Sequence, residues 1–460
     1  MTSLQTDEKQ KMKINDNLLG FDYNHAFEKA RLFADAQYTY SGFNYYGLPV
    51  LYLYPDNLVH DYPSMEQSDQ NQVNNLFRIH SGIASEDNDE ITYKVNLAYT
   101  LFKQKYGDFE DSKGRTENRL MADVNLHAHF NSTAGIGIGG SVKNYSYTVP
   151  FDQTIIDNLG TILGNRDYTT FSVNPYFTLE GDNWNARLGA GANAQVGGIK
   201  KFMVAPDVRF NWYPAEQFLV YLLAEGGIKD NSNYNLYYEN RYINPKYRVY
   251  DSKSPLDGTA GIDFSPASNW NIGLFTGYQF VKDEHLYISN GSLPIYLGIP
   301  FLMGKDIIPQ YVNAEKFKLG GTINYAYQDI FDLGLKVTYN HWNVNELSNI
   351  VDHSEPFYKL KAWNKPVFTG DLNLGYKIPV VPFRLDLIYH LETGRKNLNI
   401  NTGDESMKDI HDVSFAGTYT INETLSVFAK ANNLLFQKYD LWYGYPAQNF
   451  NLMLGINIKF

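Results

Sequence analysis

The chain has 460 residues and no cysteine, which excludes a disulfide framework and any thiolate metal site. Its formal net charge of −11 at pH 7 argues against a nucleic-acid partner, because phosphate binding needs an excess of Lys and Arg. No apolar run reaches the ~18 residues that a transmembrane helix requires. Aromatic residues make up 15% of the chain, and such rings suit the two interfaces of a membrane.

The N-terminal segment is polar and charged from Met1 to Asn15. It lacks the apolar core and the small-residue cleavage site of a signal peptide. We therefore expect residues 1–16 to form a disordered or residual N-terminal segment. The rest contains no Pro-rich, Gly/Ser-rich or charge-block linker, so residues 1–460 are predicted to form a single domain.

From Leu18 to the C-terminus the chain alternates between apolar and polar residues with a period of two. Between Leu120 and Phe130, for example, the even positions are apolar, whereas Asp123, Asn125 and His127 lie on the other face. Roughly nineteen such segments follow one another, far more than a β-sandwich needs. No segment of useful length has the helical period.

The connections between these segments alternate in length. Glu180–Asn183 and Pro214–Gln217 are short, whereas Lys229–Ser254 and Lys282–Ala314 are long. Short periplasmic turns and long outer loops are typical of outer-membrane barrels. The sequence therefore predicts an all-β protein, a large antiparallel transmembrane β-barrel of about 18–22 strands in its native form.

The direction of the strands leads to a further expectation. The last strand, Phe450–Phe460, must run toward the periplasm, and the short connection at Glu28 gives Leu18–Phe27 the same direction. Two strands that run the same way cannot close an antiparallel barrel against each other. Either Leu18–Phe27 is not a barrel strand, or an odd number of strands precedes it. We favour the second interpretation, which would make the chain an N-terminally truncated barrel.

The C-terminal stretch carries a family resemblance. It contains Asn432–Phe436, then Lys438 and Tyr439, then Gly444–Pro446, and it ends on Phe460. This pattern resembles the C-terminal end of TonB-dependent outer-membrane receptors, especially those of Bacteroidetes, with one additional leucine in the first motif. The rest of the chain resembles the family in the rhythm of its hairpins.

The resemblance implies a barrel of about 22 strands with an N-terminal plug, although this chain shows no plug-like domain and no TonB-box-like segment. It implies location in the bacterial outer membrane and passage or uptake of an unknown solute. The implied partners are outer-membrane lipid and either TonB or a lipoprotein. The alternative is a non-transporting structural or assembly subunit of an outer-membrane complex, and neither function involves catalysis or a cofactor.

Three motifs could carry chemistry, but each has a simpler interpretation. Gly135–Gly140 (GIGIGG) resembles a nucleotide loop, yet it continues a strand rather than opening a helix. His127 and His129 share a face with Asp123 and could bind a metal, and His390 near acidic residues could serve catalysis. A hydrated lumen wall explains all of these polar residues. The predicted lumen-facing residues are Asp207, Arg209, Lys336, Asp371, Lys377, Arg384, Asp386 and His390.

The long loops are rich in aromatic residues, which could form an extracellular surface for a ligand or partner. The alternative is an interface girdle with loops that pack on each other. The residues selected for the first hypothesis are Tyr237, Tyr238, Tyr242, Trp342 and Trp442. The apolar loop Leu293–Met303 is predicted to fold into the lumen or to cover a partner.

Overall fold

The computed structural model describes residues 3–5, 12–44, 71–85, 90–105, 114–148, 167–244, 247–289, 307–348, 359–398 and 404–458. Leu293–Met303 lies outside these residues. The strands are β1 (Ser3–Gln5), β2 (Ile14–Ala26), β3 (Ala30–Asn44), β4 (Asn71–Ser85), β5 (Ile91–Gln104), β6 (Thr116–Asn131), β7 (Ala134–Thr148), β8 (Tyr168–Gly181), β9 (Trp184–Gly197), β10 (Lys201–Ala215), β11 (Phe218–Lys229), β12 (Ser252–Phe264), β13 (Trp270–Ser289), β14 (Ile307–Tyr327), β15 (Phe331–Leu347), β16 (Phe368–Lys377), β17 (Phe383–Thr393), β18 (Lys396–Asn397), β19 (Glu405–Ser406), β20 (Ile410–Thr420), β21 (Leu425–Asn432), β22 (Asp440–Trp442), β23 (Tyr445–Pro446) and β24 (Asn451–Ile458).

These strands form one 20-stranded antiparallel sheet and two small ribbons, β18–β19 and β22–β23. From β2 to β17 each strand pairs with the next one along the chain, and β20, β21 and β24 continue the series. Apart from the three-residue β1, the strands of this sheet are the alternating segments that the sequence predicts. The prediction of a large all-β antiparallel barrel is confirmed, and Gly135–Gly140 lies inside β7 rather than before a helix.

The register places apolar residues of neighbouring strands side by side. Leu120 pairs with Tyr99 and Val124 pairs with Val95, whereas Asp123 pairs with Asn96. Leu120 is 58% exposed and Leu126 is 43% exposed, although both are large and apolar. Apolar side chains that stand out from one whole face of a sheet are stable in hydrocarbon but costly in water. This face is therefore the lipid-facing surface of a transmembrane barrel.

The two ends of the strand series do not pair with each other. Among the described residues, β2 pairs with β3 only, and β24 pairs with β21 and with β1. The expectation that an odd number of strands precedes Leu18 stays a prediction. Ser3–Gln5 (β1) and the first three residues of β2 lie within residues 1–16, which the sequence predicts to be disordered or residual, and they form strands.

Strands β13, β14 and β15 are the longest, with 20, 21 and 17 residues. A barrel strand needs only about 9–11 residues to cross the bilayer, so these strands extend well beyond it. The long connection between β11 and β12 contains the helix α1 (Asn233–Glu239), which the alternation pattern did not predict. Within the described part of the chain, no helix is long and apolar enough to cross a membrane.

Candidate functional site

The lumen wall formed by β15, β16 and β17 carries a ladder of charged side chains. The register aligns Lys336 with Asp371 and Asp371 with His390, so these three residues share the polar face. His390 Nδ1 lies 2.7 Å from Asp371 Oδ1. Both side chains are substantially exposed, at 38% and 51%. The cross-strand pairing of opposite charges suits a wall that faces water rather than lipid.

Arg384 lies on the same polar face and neutralises two carboxylates. Its Nη2 is 2.8 Å from Asp332 Oδ1, and its Nε is 2.8 Å from Asp386 Oδ1. Lys377 pairs with Arg384 in the register. The two signs of charge are interleaved along this wall, so it presents no single-sign field to a passing ion.

A second ordered cluster lies on the polar face of β8, β9 and β10. Arg187 Nη2 is 2.6 Å from Asp207 Oδ2, and Asn174 Nδ2 donates to the same oxygen at 2.6 Å. The Arg187 guanidinium stacks on the Tyr176 ring at 3.4 Å from the centroid. Arg209 pairs with Arg187 in the register. Because one carboxylate accepts from two donors here, the cluster is a fixed part of the wall.

The structure does not favour a metal or catalytic site at the histidines singled out from sequence. The rings of His127 and His129 lie 4.4 Å apart, and His127 Nε2 is 2.8 Å from Thr178 Oγ1. The described residues contain no group of three or more His, Cys, Asp or Glu side chains that could hold a metal ion. The two ring nitrogens of His390 face Asp371 and Glu392. A base for nucleophilic catalysis needs a hydroxyl or thiol at one of those positions.

The outer mouth of the barrel has a different character. Residues 230–244 and 247–251, the described part of the connection from β11 to β12, include α1 and are called the mouth segment below. Ser232 caps α1 by accepting a hydrogen bond from the Asn235 amide at 3.3 Å. Asn231 is buried and its Nδ2 donates to Ser252 Oγ at 2.6 Å. These local bonds give the segment a defined shape, because Ser is a preferred cap residue.

The mouth segment contacts β2 and β3 on one side. Arg241 Nη2 lies 3.0 Å from Asp16 Oδ2, and the Tyr237 hydroxyl donates to Ser41 Oγ at 2.9 Å. Ser41 in turn donates to Asp16 Oδ1 at 2.6 Å. The Phe43 ring, which is 4% exposed, packs edge-on against Tyr242. The contact thus combines one partly exposed ion pair with an aromatic pair.

Further contacts tie the segment to β5 and β6. Arg119 Nη1 lies 3.0 Å from Asp230 Oδ2, and Arg115 Nη1 donates to Asn233 Oδ1 at 3.0 Å. The Phe102 ring lies 5.1 Å from the Tyr237 ring. The N-terminal part of α1 is therefore held against this wall by charged hydrogen bonds, which are stronger than neutral ones.

The segment also contacts β13, β14 and the residues before β16. Glu239 accepts from His285 Nε2 at 2.8 Å and from Lys365 Nζ at 3.1 Å. Burial alone would raise the pKa of Glu239, but the His285 hydrogen bond and the Lys365 charge outweigh it and hold that pKa well below its usual range. Ile243 forms a parallel bridge with Ile307 at the start of β14. Glu239 therefore stays ionised and paired.

The five aromatic residues selected from sequence do not form one exposed surface. Tyr238 is 81% exposed, whereas Tyr242 is 3% exposed and stacks on Tyr445 with ring centroids 4.0 Å apart. Trp442 packs against Tyr287 at 4.8 Å, and Trp342 lies under Lys316 at 5.1 Å. Tyr237 is partly buried between Phe43 and Phe102. The loops pack on each other, which is the alternative that the sequence left open.

Sequence reasoning missed the residues that organise the mouth. Asp16 and Ser41 lie near the ends of β2 and β3, Glu239 is the last residue of α1, and Arg241 follows the helix. No motif singles them out. Ser232 followed by Asn235 offered a weak helix-start signal, because Ser is a preferred N-cap. The distances above depend on elements far apart along the chain.

Fold and lumen together define a transmembrane β-barrel of the outer-membrane class. No protein-family model matches the sequence, and no curated protein matches it either. Solved structures similar to it include the siderophore receptor PirA from Acinetobacter baumannii, with 12% identity and a TM-score of 0.66, covering 98% of this chain and 71% of that one. The ferric enterobactin receptor PfeA from Pseudomonas aeruginosa has 13% identity and a TM-score of 0.65, with 99% and 72% covered.

A third similar structure is that of the FpvAI–pyocin S2 complex, with 13% identity and a TM-score of 0.62. The match covers 98% of this chain but 66% of that chain, so this chain spans a little under two thirds of its length. The fold is that of the TonB-dependent receptor barrels, as the C-terminal resemblance predicts. PirA is described as a siderophore receptor and PfeA as a ferric enterobactin receptor, and barrels of this class lie in the outer membrane of Gram-negative bacteria.

Proposed function

We propose that this chain forms an outer-membrane barrel for the passage or uptake of a solute. The observation that carries the proposal is the polar lumen wall, where Asp371, His390 and Arg384 stand in cross-strand contact and remain partly exposed. A barrel that served only as a membrane anchor would gain nothing from a hydrated interior. Similarity to receptor barrels supports the same function at a coarse level.

The lumen chemistry supports a solute without a strong charge preference. Arg384 and Arg187 are each paired with carboxylates, so the positive charges of the wall are locally neutralised. Selectivity in such a pore would come from its width and its hydrogen-bonding groups rather than from net charge. We propose an unidentified solute as the ligand, and TonB or a lipoprotein as the protein partner if uptake is energised.

The test is solute flux through the purified full chain in liposomes. A variant in which residues 231–250 are replaced by a short Gly-Ser linker removes the mouth segment without cutting a barrel strand. We expect liposomes with this variant to swell in sugars of increasing size up to a cut-off. If the variant folds correctly, as judged by heat-modifiable gel migration, but admits no sugar of any size, the proposal is overturned. Tyr238→Ala changes one exposed side chain of the mouth segment and leaves the segment in place, so it is the matched control for the linker variant.

A second function, that of a non-transporting structural subunit, is favoured by one observation. The mouth segment is packed like a protein core, with Leu236 1% and Tyr242 3% exposed. A barrel that need not conduct could keep its mouth permanently covered. Purification of the chain with another outer-membrane protein in a fixed ratio, together with no flux in the linker variant, would establish this alternative.

A further inference from the structure

We infer that the mouth segment is a gate that closes the outer end of the lumen and releases along its contact with β2 and β3. That the gate controls the passage of a solute rests on the proposed function, whereas the closure of the mouth does not. The mouth segment is a loop between two neighbouring strands, and contacts with the barrel wall hold it in place.

The mouth segment lies across the mouth of the barrel rather than along one wall. Strands β4 to β12 separate β3 from β13 along the sheet, about half of the way around it. Each step between strands is about 4.8 Å, so these two strands stand on opposite walls. Nevertheless, Phe43 of β3, Leu236 of α1 and Tyr287 of β13 belong to one buried cluster. Only a segment that crosses the lumen can join them.

The segment is packed tightly where it crosses the mouth. The same buried cluster includes Ile307 at the start of β14 and Tyr445 of β23. Ser232 and Asn240, at the two ends of α1, are 0% and 1% exposed. Buried side chains that are packed to this degree leave no room for a solute of more than water size. The outer mouth is closed where the segment crosses it.

The contacts at the two edges of the segment differ in kind, and this difference determines where the segment can release. On the β13 and β14 side it is held by backbone bonds, since the Asn244 amide donates to the Ile307 carbonyl at 2.7 Å and the Ile307 amide donates to the Tyr242 carbonyl at 3.0 Å. On the β2 side the charged contact is Arg241 with Asp16, whose side chains are 31% and 41% exposed. Exposed ion pairs contribute little, because water competes for both partners.

The covalent connections of the segment also favour release from β2 and β3. The segment begins at the end of β11 and finishes at the start of β12, so both of its ends leave the wall next to β13. A loop with both ends on one wall can swing away from the opposite wall while the chain stays intact. The geometry therefore makes Arg241, Asp16 and Ser41 the releasing edge and Ile243 with Ile307 the fixed edge.

Ser41 provides a direct reporter of release, because it is 7% exposed and lies under Tyr237. The chain has no cysteine, so Ser41→Cys creates a single thiol. We expect a water-soluble maleimide to modify this thiol far more slowly than a thiol at the exposed turn residue Thr133 (Thr133→Cys). Adding Arg241→Gln should accelerate the modification about two- to fivefold, the factor that an exposed ion pair contributes.

The matched control is Tyr238→Ala, which truncates a large side chain of the same helix that is 81% exposed. It should leave the modification rate of Ser41→Cys unchanged. Equal rates for Ser41→Cys and Thr133→Cys in the otherwise native chain would mean that the mouth is open, and the inference would be wrong. Equal acceleration by Arg241→Gln and Tyr238→Ala would also overturn it, because the releasing edge would then not be at Arg241.

A disulfide at the fixed edge separates gating from transport. Cα atoms of bridged strand residues lie within disulfide range, so Ile243→Cys with Ile307→Cys should form one without blocking release at Arg241. We expect flux in this oxidised variant to match its reduced form, and loss of flux on oxidation would place the moving edge at β14 and refute the assignment. If the labelling results hold but the linker variant admits no solute, the gate stands and the proposed function fails.

Discussion

The lumen wall and the outer mouth use the same kinds of charged contact in opposite surroundings. In the wall, Asp371 and His390 are 51% and 38% exposed, so each can exchange its partner for water. In the mouth, His285 is 2% exposed and depends on Glu239. The comparison shows that charged side chains in this barrel lie in two kinds of environment, one open to water and one buried. The wall tolerates change on its wet face, whereas the mouth behaves like the core of a soluble domain.

The largest expected effect lies on the lipid-facing side of the wall. Leu372 pairs with Leu335 and Tyr389, and its neighbour Asn373 points to the other face of β16. Leu372→Arg would place a cation in hydrocarbon, at a cost of roughly 2–4 kcal/mol near the bilayer midplane. Asn373→Arg should cost little because its side chain reaches the wet lumen. Equal loss of the folded band in both variants, measured by heat-modifiable gel migration, would contradict the assignment of faces.

The next effect sharpens the contrast between mouth and wall. Glu239→Gln removes the carboxylate that accepts from both His285 and Lys365. A buried donor left without its acceptor costs about 1–3 kcal/mol, so the attachment of the mouth segment to the β13 side should weaken by that amount. The measurement is the urea midpoint of the barrel in liposomes, which should fall. Glu405→Gln, which removes a carboxylate that bonds Tyr443 outside the segment, should leave the midpoint unchanged.

A pH dependence is expected from Asp251 at the C-terminal end of the mouth segment. Burial, and then the nearby Asp230 charge, raise the pKa of Asp251 to about 7 from the ordinary value of 3.8. Between these values the folded state holds a proton that the unfolded state lacks, so stability falls as pH rises through this window. We expect a loss of roughly 2–3 kcal/mol between pH 5 and pH 8. Asp251→Asn should flatten the dependence of the thermal midpoint on pH. An unchanged slope would contradict the assignment of this pH dependence to Asp251.

The smallest effect is expected in the wall itself. Asp371→Asn removes the carboxylate partner of His390, but both side chains are open to water. Exposed pairs of this kind contribute about 0.2–1 kcal/mol, so the urea midpoint of the barrel in liposomes should hardly move. A loss as large as that of Glu239→Gln would erase the distinction between wall and mouth. Flux through the linker variant should also persist after this substitution.

Much of the fold could be predicted from the sequence because strand faces are a local property. The alternation around Leu120, Val124 and Asp123 specifies which side chains meet lipid and which meet water, whatever the neighbouring strand. The alternating loop lengths supply the up-and-down order. The residues predicted to face the lumen lie on the polar face of their strands for the same reason.

The mouth could not be predicted in this way. Tyr237, Tyr242 and Trp442 stood out in the sequence as aromatic loop residues, but the sequence did not say whether they meet water or each other. Asp16 and Arg241 lie 225 positions apart along the chain, and no period connects them. The helix α1 is only 7 residues long, too short to show a hydrophobic face of its own. Its stability comes from the walls that it touches.

By itself the sequence determined the architecture of the wall, since a two-residue period and strand direction are written into consecutive residues. Tertiary structure alone decided that the mouth segment crosses the lumen and that Tyr242 is buried while Tyr238, four residues earlier, is exposed. The physical reason is that the wall is built from pairings between neighbours along the chain. The mouth depends on contacts between opposite walls, which exist only after the barrel has brought β3 and β13 face to face.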